Sequence, residues 1–405
     1  MTMKKMLLLL AGCFIAWMAA AQIDAKKIKE HISFLASDAL EGRGTGTEGE
    51  TKANAYIEQV FTKLKLQPKG TRGYDQSFEF KRGTHGTGEA GTAENIIAYL
   101  DNGAANTIII GAHYDHLGLG HDNNSLDANP KGKIHNGADD NASGVAGVLE
   151  LARYFQSNRK KENYNFLFIC FSGEELGLFG SKYFTEHPTI DLPTSSYMIN
   201  MDMIGRLEAS KGISVSGSGT SPVWEPLLKK LSTDQLPIKT DSSGTGPSDH
   251  TSFYLKDIPV LHFFTGSHSD YHKPSDDIEK INLEGEVAVL NIIVKVIEEL
   301  DGQPKLAFLK TKSKAMGSAR AFKVTMGVMP SYTANEEGLL VDGVTDGKPA
   351  QKAGIEAGDV ILQMGDLPIK DISGYMGALG KFEKGQTIPV KVKRKGEIKT
   401  VSVTF

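Results

Sequence analysis

Five short apolar runs punctuate the first 300 residues, at 95–100, 107–112, 165–171, 196–201 and 260–264. Their length and their β-branched and aromatic content predict buried strands. Between and around them lie stretches of helical period. Residues 26–37 and 47–65 read as helices, the second with Ala55, Ile57, Val60, Phe61 and Leu64 on one side. Val145, Val148, Leu149, Ala152 and Phe155 form another stripe, and 283–300 a further long helix. Strands alternating with helices predict a three-layer α/β/α sandwich around a mostly parallel mixed sheet.

The texture changes after residue 300. Asp301-Gly302-Gln303-Pro304 breaks the helix, and Lys310, Lys312, Lys314 and Arg320 follow with little apolar pattern. Short strands and Gly-rich turns come next, ending in a strand pair at 387–394 and 398–405. The expected division is an export signal over 1–21, an α/β domain over 22–302, a linker over 303–320 and a small, mostly β domain over 321–405.

Composition adds three points. The chain is 40% hydrophobic and 23% charged, which excludes general disorder. Its net charge of -4 gives no general attraction to nucleic acid. The C-terminal part is basic, so the acidity that suits cations lies in the α/β part. Lys4 and Lys5, an apolar run from Met6 to Ala20 and Ala19-Ala20-Ala21-Gln22 form a signal-peptide pattern, so a periplasmic or secreted location is expected. About 15 apolar residues are short for a membrane span. Lipidation at Cys13 is the less favoured alternative, since apolar residues continue beyond it. Cleavage after Ala21 leaves Cys170 as the only cysteine and no intrachain disulfide.

The chemistry sits where the predicted strands end. The run 107–112 passes into His113-Tyr114-Asp115-His116, 165–171 into Ser172-Gly173-Glu174-Glu175, and 196–201 into Asp202. Gly137-Ala138-Asp139-Asp140-Asn141 precedes the helix of the Val145 stripe, and Tyr271-His272-Lys273-Pro274-Ser275-Asp276 follows the last run. In open α/β sheets, ligands bind outside the carboxyl ends of strands. Imidazole and carboxylate groups suit zinc. Each His or Asp alone reads as a solvated or core residue; five such groups at strand ends read as a metal site. Asp115, two residues beyond His113 in extended chain, is placed to accept that ring's proton.

These motifs, with Leu40-Glu41-Gly42-Arg43-Gly44-Thr45-Gly46-Thr47-Glu48-Gly49 and 200–205, resemble the co-catalytic zinc aminopeptidase family. Its relatives include glutamate carboxypeptidase-like enzymes and glutaminyl cyclases. The resemblance covers about residues 26–300. It implies two Zn2+ per chain, with Asp139 bridging both, His113 and Asp202 completing one site and Glu175 and His272 the other. It also implies a cis peptide between Asp139 and Asp140, Glu174 as general base to a metal-activated water, and Asp115 as partner of His113. Tyr271 is the candidate oxyanion donor. The reaction implied is removal of N-terminal residues from peptides with a free N-terminus. Asp249, in Pro247-Ser248-Asp249-His250, is expected to shape the site, and His250, His262 and His268 to be structural. The 117–137 loop, with His121, Asp122, Asp127 and His135, reads as a solvated loop, with calcium binding as the alternative.

Residues 321–405 resemble a bacterial PDZ domain, carried by the stretch from Lys348 to Ile361. A short helix begins at Pro349 and stops at Gly354, and Gly358-Asp359 turns into a strand. Thr325-Met326-Gly327-Val328-Met329 would be the carboxylate-binding loop and its strand, with a peptide C-terminus as ligand. Met364-Gly365-Asp366 departs from the usual Asn-Gly turn. The rival functions are a glutaminyl cyclase using one zinc and a PDZ-based binding protein with an inactive metal site. Intact ligands, Glu174, and a single tryptophan beyond the signal, Trp224, favour the hydrolase.

Overall fold

The computed structural model describes residues 22–81, 89–122, 124–311, 324–330, 337–344, 347–370 and 372–405. The signal expected over 1–21, with Cys13, lies outside the described residues. Among them no helix is long and apolar enough to cross a membrane.

The first part builds one sheet from β1 (Gln67–Pro68), β2 (Asp75–Lys81), β3 (Ala90–Leu100), β4 (Thr107–His113), β5 (Asn165–Phe171), β6 (Ser195–Met201), β7 (Ile213–Ser216), β8 (Ile238–Asp241) and β9 (Val260–Phe264). The strand order is β1-β3-β5-β4-β6-β9-β7-β8, with β2 also paired to β3. The central four, β5-β4-β6-β9, are mutually parallel. The flanks join them antiparallel, β3 to β5 and β7 to β9. The mostly parallel expectation therefore holds for the centre.

Period-two alternation sorts the central strands between two covered faces. Ile108, Ile110, Phe166, Phe168 and Ile199 face one apolar cluster; Ile109, Leu167, Ile169 and Met198 face the other. Helices α1 (Ala25–Leu35), α2 (Glu48–Lys63) and α3 (Gly144–Ser157) contribute to the first cluster. Helix α4 (Phe179–Glu186) supplies Phe184 to the second, and α5 (Trp224–Leu231) returns to the first. Phe253 and Tyr254 of α6 (His250–Tyr254) pack on the second, and α7 (Leu283–Leu300) closes the first. Three of these helices start on side-chain caps: Asp24 accepts from Lys26 N, Thr47 from Glu50 N and Asn282 from Gly285 N.

The linker expected from residue 303 does not begin there. Leu306 is buried in the first cluster and Phe308 packs on the second. Tyr164 Oη donates to Gln303 O, and Leu309 N to Thr220 O. Residues 303–311 are thus part of the α/β unit.

The C-terminal part has its own apolar cluster, including Met326, Ile361, Val390 and Val392. Its strands are β10 (Val328–Pro330), β11 (Leu339–Val344), β12 (Val360–Met364), β13 (Leu367–Pro368), β14 (Thr387–Arg394) and β15 (Glu397–Thr404), with α8 (Pro349–Lys352) and α9 (Ile372–Leu379). Pro349 opens α8, and Gly354 at φ +79° ends it. The questioned turn is a two-residue hairpin pairing Met364 with Leu367. Positive φ falls on Gly365, its first residue, which is the II′ requirement and explains why Asn-Gly is not needed. Asp359 is buried and bound by Arg394 Nε at 2.6 Å and Nη2 at 2.7 Å, which holds its carboxyl below the usual range despite burial.

Candidate metal centre

The carboxyl ends of β4, β5, β6 and β9 converge. His113 is the last residue of β4 and Asp202 directly follows β6. After β5 the chain turns through Gly173 at φ +69° to present Glu174 and Glu175. His272 arrives from the loop after β9 with φ +53°, a left-handed backbone that costs a non-glycine residue energy and recurs at functional sites.

Two donor groups form: His113, Asp140 and Asp202, and His116, Asp140 and Glu175. His113 Nε2 lies 3.4 Å from Asp140 Oδ1 and 3.5 Å from Asp202 Oδ1. His272 Nε2 lies 3.2 Å from Asp140 Oδ2 and 3.1 Å from Glu175 Oε2. Two atoms each about 2.0–2.1 Å from a tetrahedral zinc are about 3.3–3.4 Å apart, so these separations fit the edges of two zinc polyhedra. Asp140 Oδ2 is buried without a hydrogen-bond partner, although an imidazole nitrogen is in range. An unpartnered buried carboxylate oxygen is costly, and a cation held there removes the cost. The residues present fit zinc.

Asp140, not Asp139, stands between the groups, with one carboxylate oxygen toward each. This corrects the expected bridge by one position. Asp139 is turned inward: its Oδ1 accepts from Gly205 N at 2.7 Å and Ser143 Oγ at 3.2 Å, and its Oδ2 contacts His268 Nε2 at 3.1 Å. The cis peptide shifts with it and joins Asp140 to Asn141. Asp276 holds the turn from the other side, accepting from the backbone N–H of both Asp139 and Asp140.

Asp115 supports the site differently from the expectation. His113 Nδ1 lies 3.1 Å from the Asp115 carbonyl oxygen but 3.7 Å from its carboxylate. That carboxylate accepts instead from Thr45 Oγ1 at 2.9 Å, Glu174 N at 3.1 Å and Glu175 N at 3.4 Å. It orients the two glutamates through their backbone.

Four residues that sequence reasoning left without a role belong to this scaffold. His116 touches Glu175 Oε1 through Nδ1 at 2.6 Å, and its buried Nε2 has no partner. Arg43 is fully buried, donating to the carbonyls of Leu35, Tyr114, Asn136 and Gly137. Burial lowers its pKa to about 10, so it stays charged at neutral pH and ties the 135–137 loop to the end of β4. Thr45 reaches Asp115. Glu50 Oε1 accepts from Ser172 Oγ, and its Oε2 from Gly46 N at 2.6 Å. The signal was present: Arg43, Thr45 and Glu50 lie in or beside the Gly-rich 40–49 motif, and His116 sits one residue after Asp115.

Burial and the nearby Asp115 push Glu50 up to about 8. It therefore keeps its proton in the folded protein over a range where the unfolded chain has lost it. Stability falls as pH rises from the unfolded value toward 8. Glu50→Gln, which cannot ionise, removes that slope. The melting temperature of the variant relative to wild type should rise between pH 5 and pH 8.5, and ~1 kcal/mol suffices for a shift of about 2–4 °C at this size. A pH-independent difference would show that Glu50 is ionised throughout.

Glu174 lies beside the donors. Burial raises its carboxyl well above the usual range, aided by Asp202, Glu175 and Asp249 and opposed by His113. Burial works against Glu175 too, but His272 and His116 bring it down to about 2. Glu174, Asp140, Asp202 and His272 line a pocket, with Met203, Pro247, Ser248, Phe264 and Tyr271 among its other walls. The Tyr271 ring stacks on His272 at 3.9 Å. His262, expected to be structural, also lines the pocket and stacks on His250 at 4.5 Å. Asp249 is buried behind this wall, pushed to about 7 by burial and by Asp115 and Asp202 against the pull of His113. In the 117–137 loop, Asp127 pairs with Lys133 at 2.7 Å and accepts from Asn129 N. His135 contacts Ser125 Oγ and Lys133 O. Both are engaged within the loop rather than offered to calcium.

Two histidine–carboxylate groups that share one aspartate, beside a pocket at the carboxyl ends of a mixed sheet, give the arrangement of an α/β protein with a metal centre. The chain belongs to peptidase family M28, whose model matches residues 95–297, and a PDZ domain matches residues 324–405. It is 29% identical over 261 residues to leupeptin-inactivating enzyme 1 of Streptomyces exfoliatus, covering 64% of this chain and 52% of that protein. It is 30% identical over 195 residues to aminopeptidase YwaD of Bacillus subtilis, covering 44% and 42% respectively. The matches thus span about half the length of these relatives. Among solved structures, the fold is similar to BSAP, a zinc aminopeptidase from Bacillus subtilis, with a TM-score of 0.53 at 19% identity over 72% of this chain and 99% of that one. It is also similar to Porphyromonas gingivalis glutaminyl cyclase, with a TM-score of 0.57 at 20% identity over 69% and 99%.

Proposed function

We propose that the protein is an exported, zinc-dependent aminopeptidase that holds two zinc ions and removes N-terminal residues from peptides. The observation that carries this reading is Asp140, whose two carboxylate oxygens face separate imidazoles at 3.4 and 3.2 Å. His113 and Asp202 would complete one site with Asp140, and Glu175 and His272 the other, with His116 beside Glu175. Bound zinc supplies Lewis-acid polarisation of the peptide carbonyl and lowers the pKa of water. Glu174, on the pocket wall, takes the proton of the attacking water and passes it to the leaving amine. Tyr271, at the pocket wall, would donate to the developing oxyanion. The carboxylates of Asp140, Glu174 and Asp202 favour a free α-ammonium, which restricts cleavage to the first residue. The export reading rests on the Lys4-Lys5 and Met6–Ala20 pattern. Residues 324–405 would capture a peptide C-terminus beside Gly327, whose φ of +70° opens the loop before β10.

The similarity to a glutaminyl cyclase fold supplies the rival, a single-zinc acyl transfer on N-terminal glutamine. A panel of aminoacyl-arylamides separates the two. Hydrolysis should disappear on chelation and return with zinc, and metal analysis should approach two zincs per chain. One zinc per chain with ring closure of N-terminal glutamine and no arylamide hydrolysis would replace the aminopeptidase reading.

A further inference from the structure

Residues 303–311 run on from the end of α7 past the start of β6 as a strap. Leu306 N donates to Ser196 Oγ at 3.2 Å, and Phe308 places its ring 5.4 Å from that of Tyr254. The strap ends in a knot at Thr311. Thr311 N and Oγ1 each donate to Tyr254 Oη at 3.0 Å, and Oγ1 accepts from Gly244 N at 3.1 Å. The contact with Gly244 is close: a Cβ there would meet the Tyr254 ring at 2.1 Å. Only glycine lets the 243–246 turn lie against the ring.

That turn leads into the pocket wall. Thr251 Oγ1 clamps Gly246, accepting from its N–H at 2.8 Å and donating to its carbonyl at 2.5 Å. Pro247 and Ser248 then line the pocket. Ser248 Oγ accepts from Asn200 Nδ2 at 2.8 Å, and the same amide group reaches His262 Nδ1 at 3.1 Å, another wall residue. A continuous series of hydrogen bonds and short backbone therefore joins Thr311 to the side of the pocket that holds none of the proposed zinc ligands.

We propose that Thr311 is a positioning residue of the active site: by holding Gly244 it fixes the 244–248 segment, and with it the wall that receives the substrate's N-terminal side chain. This rests on reading the pocket as the seat of that residue. The strap also carries the chain toward the PDZ match that starts at residue 324, so the wall is anchored by the segment through which the second domain is attached. Without the Thr311 hydroxyl, the turn loses the Gly244 hydrogen bond to the strap while the metal ligands keep their contacts.

The test uses the full chain with Thr311→Val, which keeps the shape and removes the hydroxyl, and Thr311→Ser, which restores it. Expected for valine is a KM raised by about three- to tenfold for leucyl- and phenylalanyl-arylamides, the range one hydrogen bond commands, with a smaller rise for glycyl-arylamide. Its kcat and zinc content should stay at wild-type levels, and serine should recover the wild-type KM. Amide hydrogen exchange, which needs no substrate, should rise in residues 243–249 of the valine variant and nowhere near His113 or Asp202. Unchanged exchange in 243–249 overturns the proposal. So does an equal loss of kcat on every substrate accompanied by loss of zinc, which marks general damage. Absence of arylamide hydrolysis in the wild type would sink the aminopeptidase reading alone, because the exchange result still decides whether Thr311 holds the wall.

Discussion

Glu174→Gln should lower kcat by at least about 10²-fold, the low end of what a positioned general base contributes, while zinc content and KM stay near wild type. The substitution keeps the side chain's size and removes only its capacity to take a proton. Glu174 belongs to neither donor group, so it can change without loss of a ligand. Its backbone N–H is held by Asp115 at 3.1 Å, and that bond survives the change. Glu174 lines the pocket beside Asp140 and Asp202 and stands outside both donor groups, whereas Glu175, one residue later, faces His116 and His272 as a donor. Adjacent glutamates thus take different tasks, one to accept a proton and one to remain an anionic ligand. Steady-state kinetics on one arylamide with parallel metal analysis makes the check. Turnover within about tenfold of wild type would remove Glu174 from the mechanism, since even modest general-base catalysis exceeds that.

The central sheet was legible in the sequence because it is covered on both faces. Strands such as β4 and β5 have no solvent side, so they read as unbroken apolar runs, and the polar residues at their ends stand out. The flanking pairs were harder. β2 alternates buried Gln76, Phe78 and Phe80 with outward residues, a weaker pattern that the sequence reading passed over. That a site lies at the strand ends was legible; which of two adjacent carboxylates faces it was not. Asp139 and Asp140 are adjacent acids with equal chemistry, and nothing in composition or period says which carboxylate turns inward. That choice is made by Gly205 N and His268, partners distant in sequence, and by the irregular backbone at Asp140 and Asn141. Arg43 was passed over for a related reason. A charged residue among glycines reads as surface loop, and only the fold reveals four carbonyls converging on it. The strap was misread because Pro304 and the lysines signal a linker, whereas its anchors, Leu306 and Phe308, are too few to form a pattern.

The choice between the two aspartates is also the sharpest experimental question. Asp140→Asn should lower the affinity for zinc at both positions, by at least about 100-fold, since even the outer partners of metal ligands cost about 10–100-fold when removed. Activity should fall with it, because one amide replaces the shared anion between His113 and His272. Asp139→Asn should behave differently. Its amide oxygen can still accept from Gly205 N, so the turn keeps its main support, and neither donor group includes Asp139. The variant should bind close to the wild-type amount of zinc. It should lose stability by about 1–3 kcal/mol, the cost of mismatching a buried hydrogen-bonding group, here toward His268, which faces the other carboxylate oxygen. Zinc titration of the two metal-free variants, with thermal melts in excess zinc, reads both quantities separately. Tight binding by Asp140→Asn together with zinc loss in Asp139→Asn would return the bridge to Asp139 and would mean that the turn at 138–143 rearranges when the ions bind.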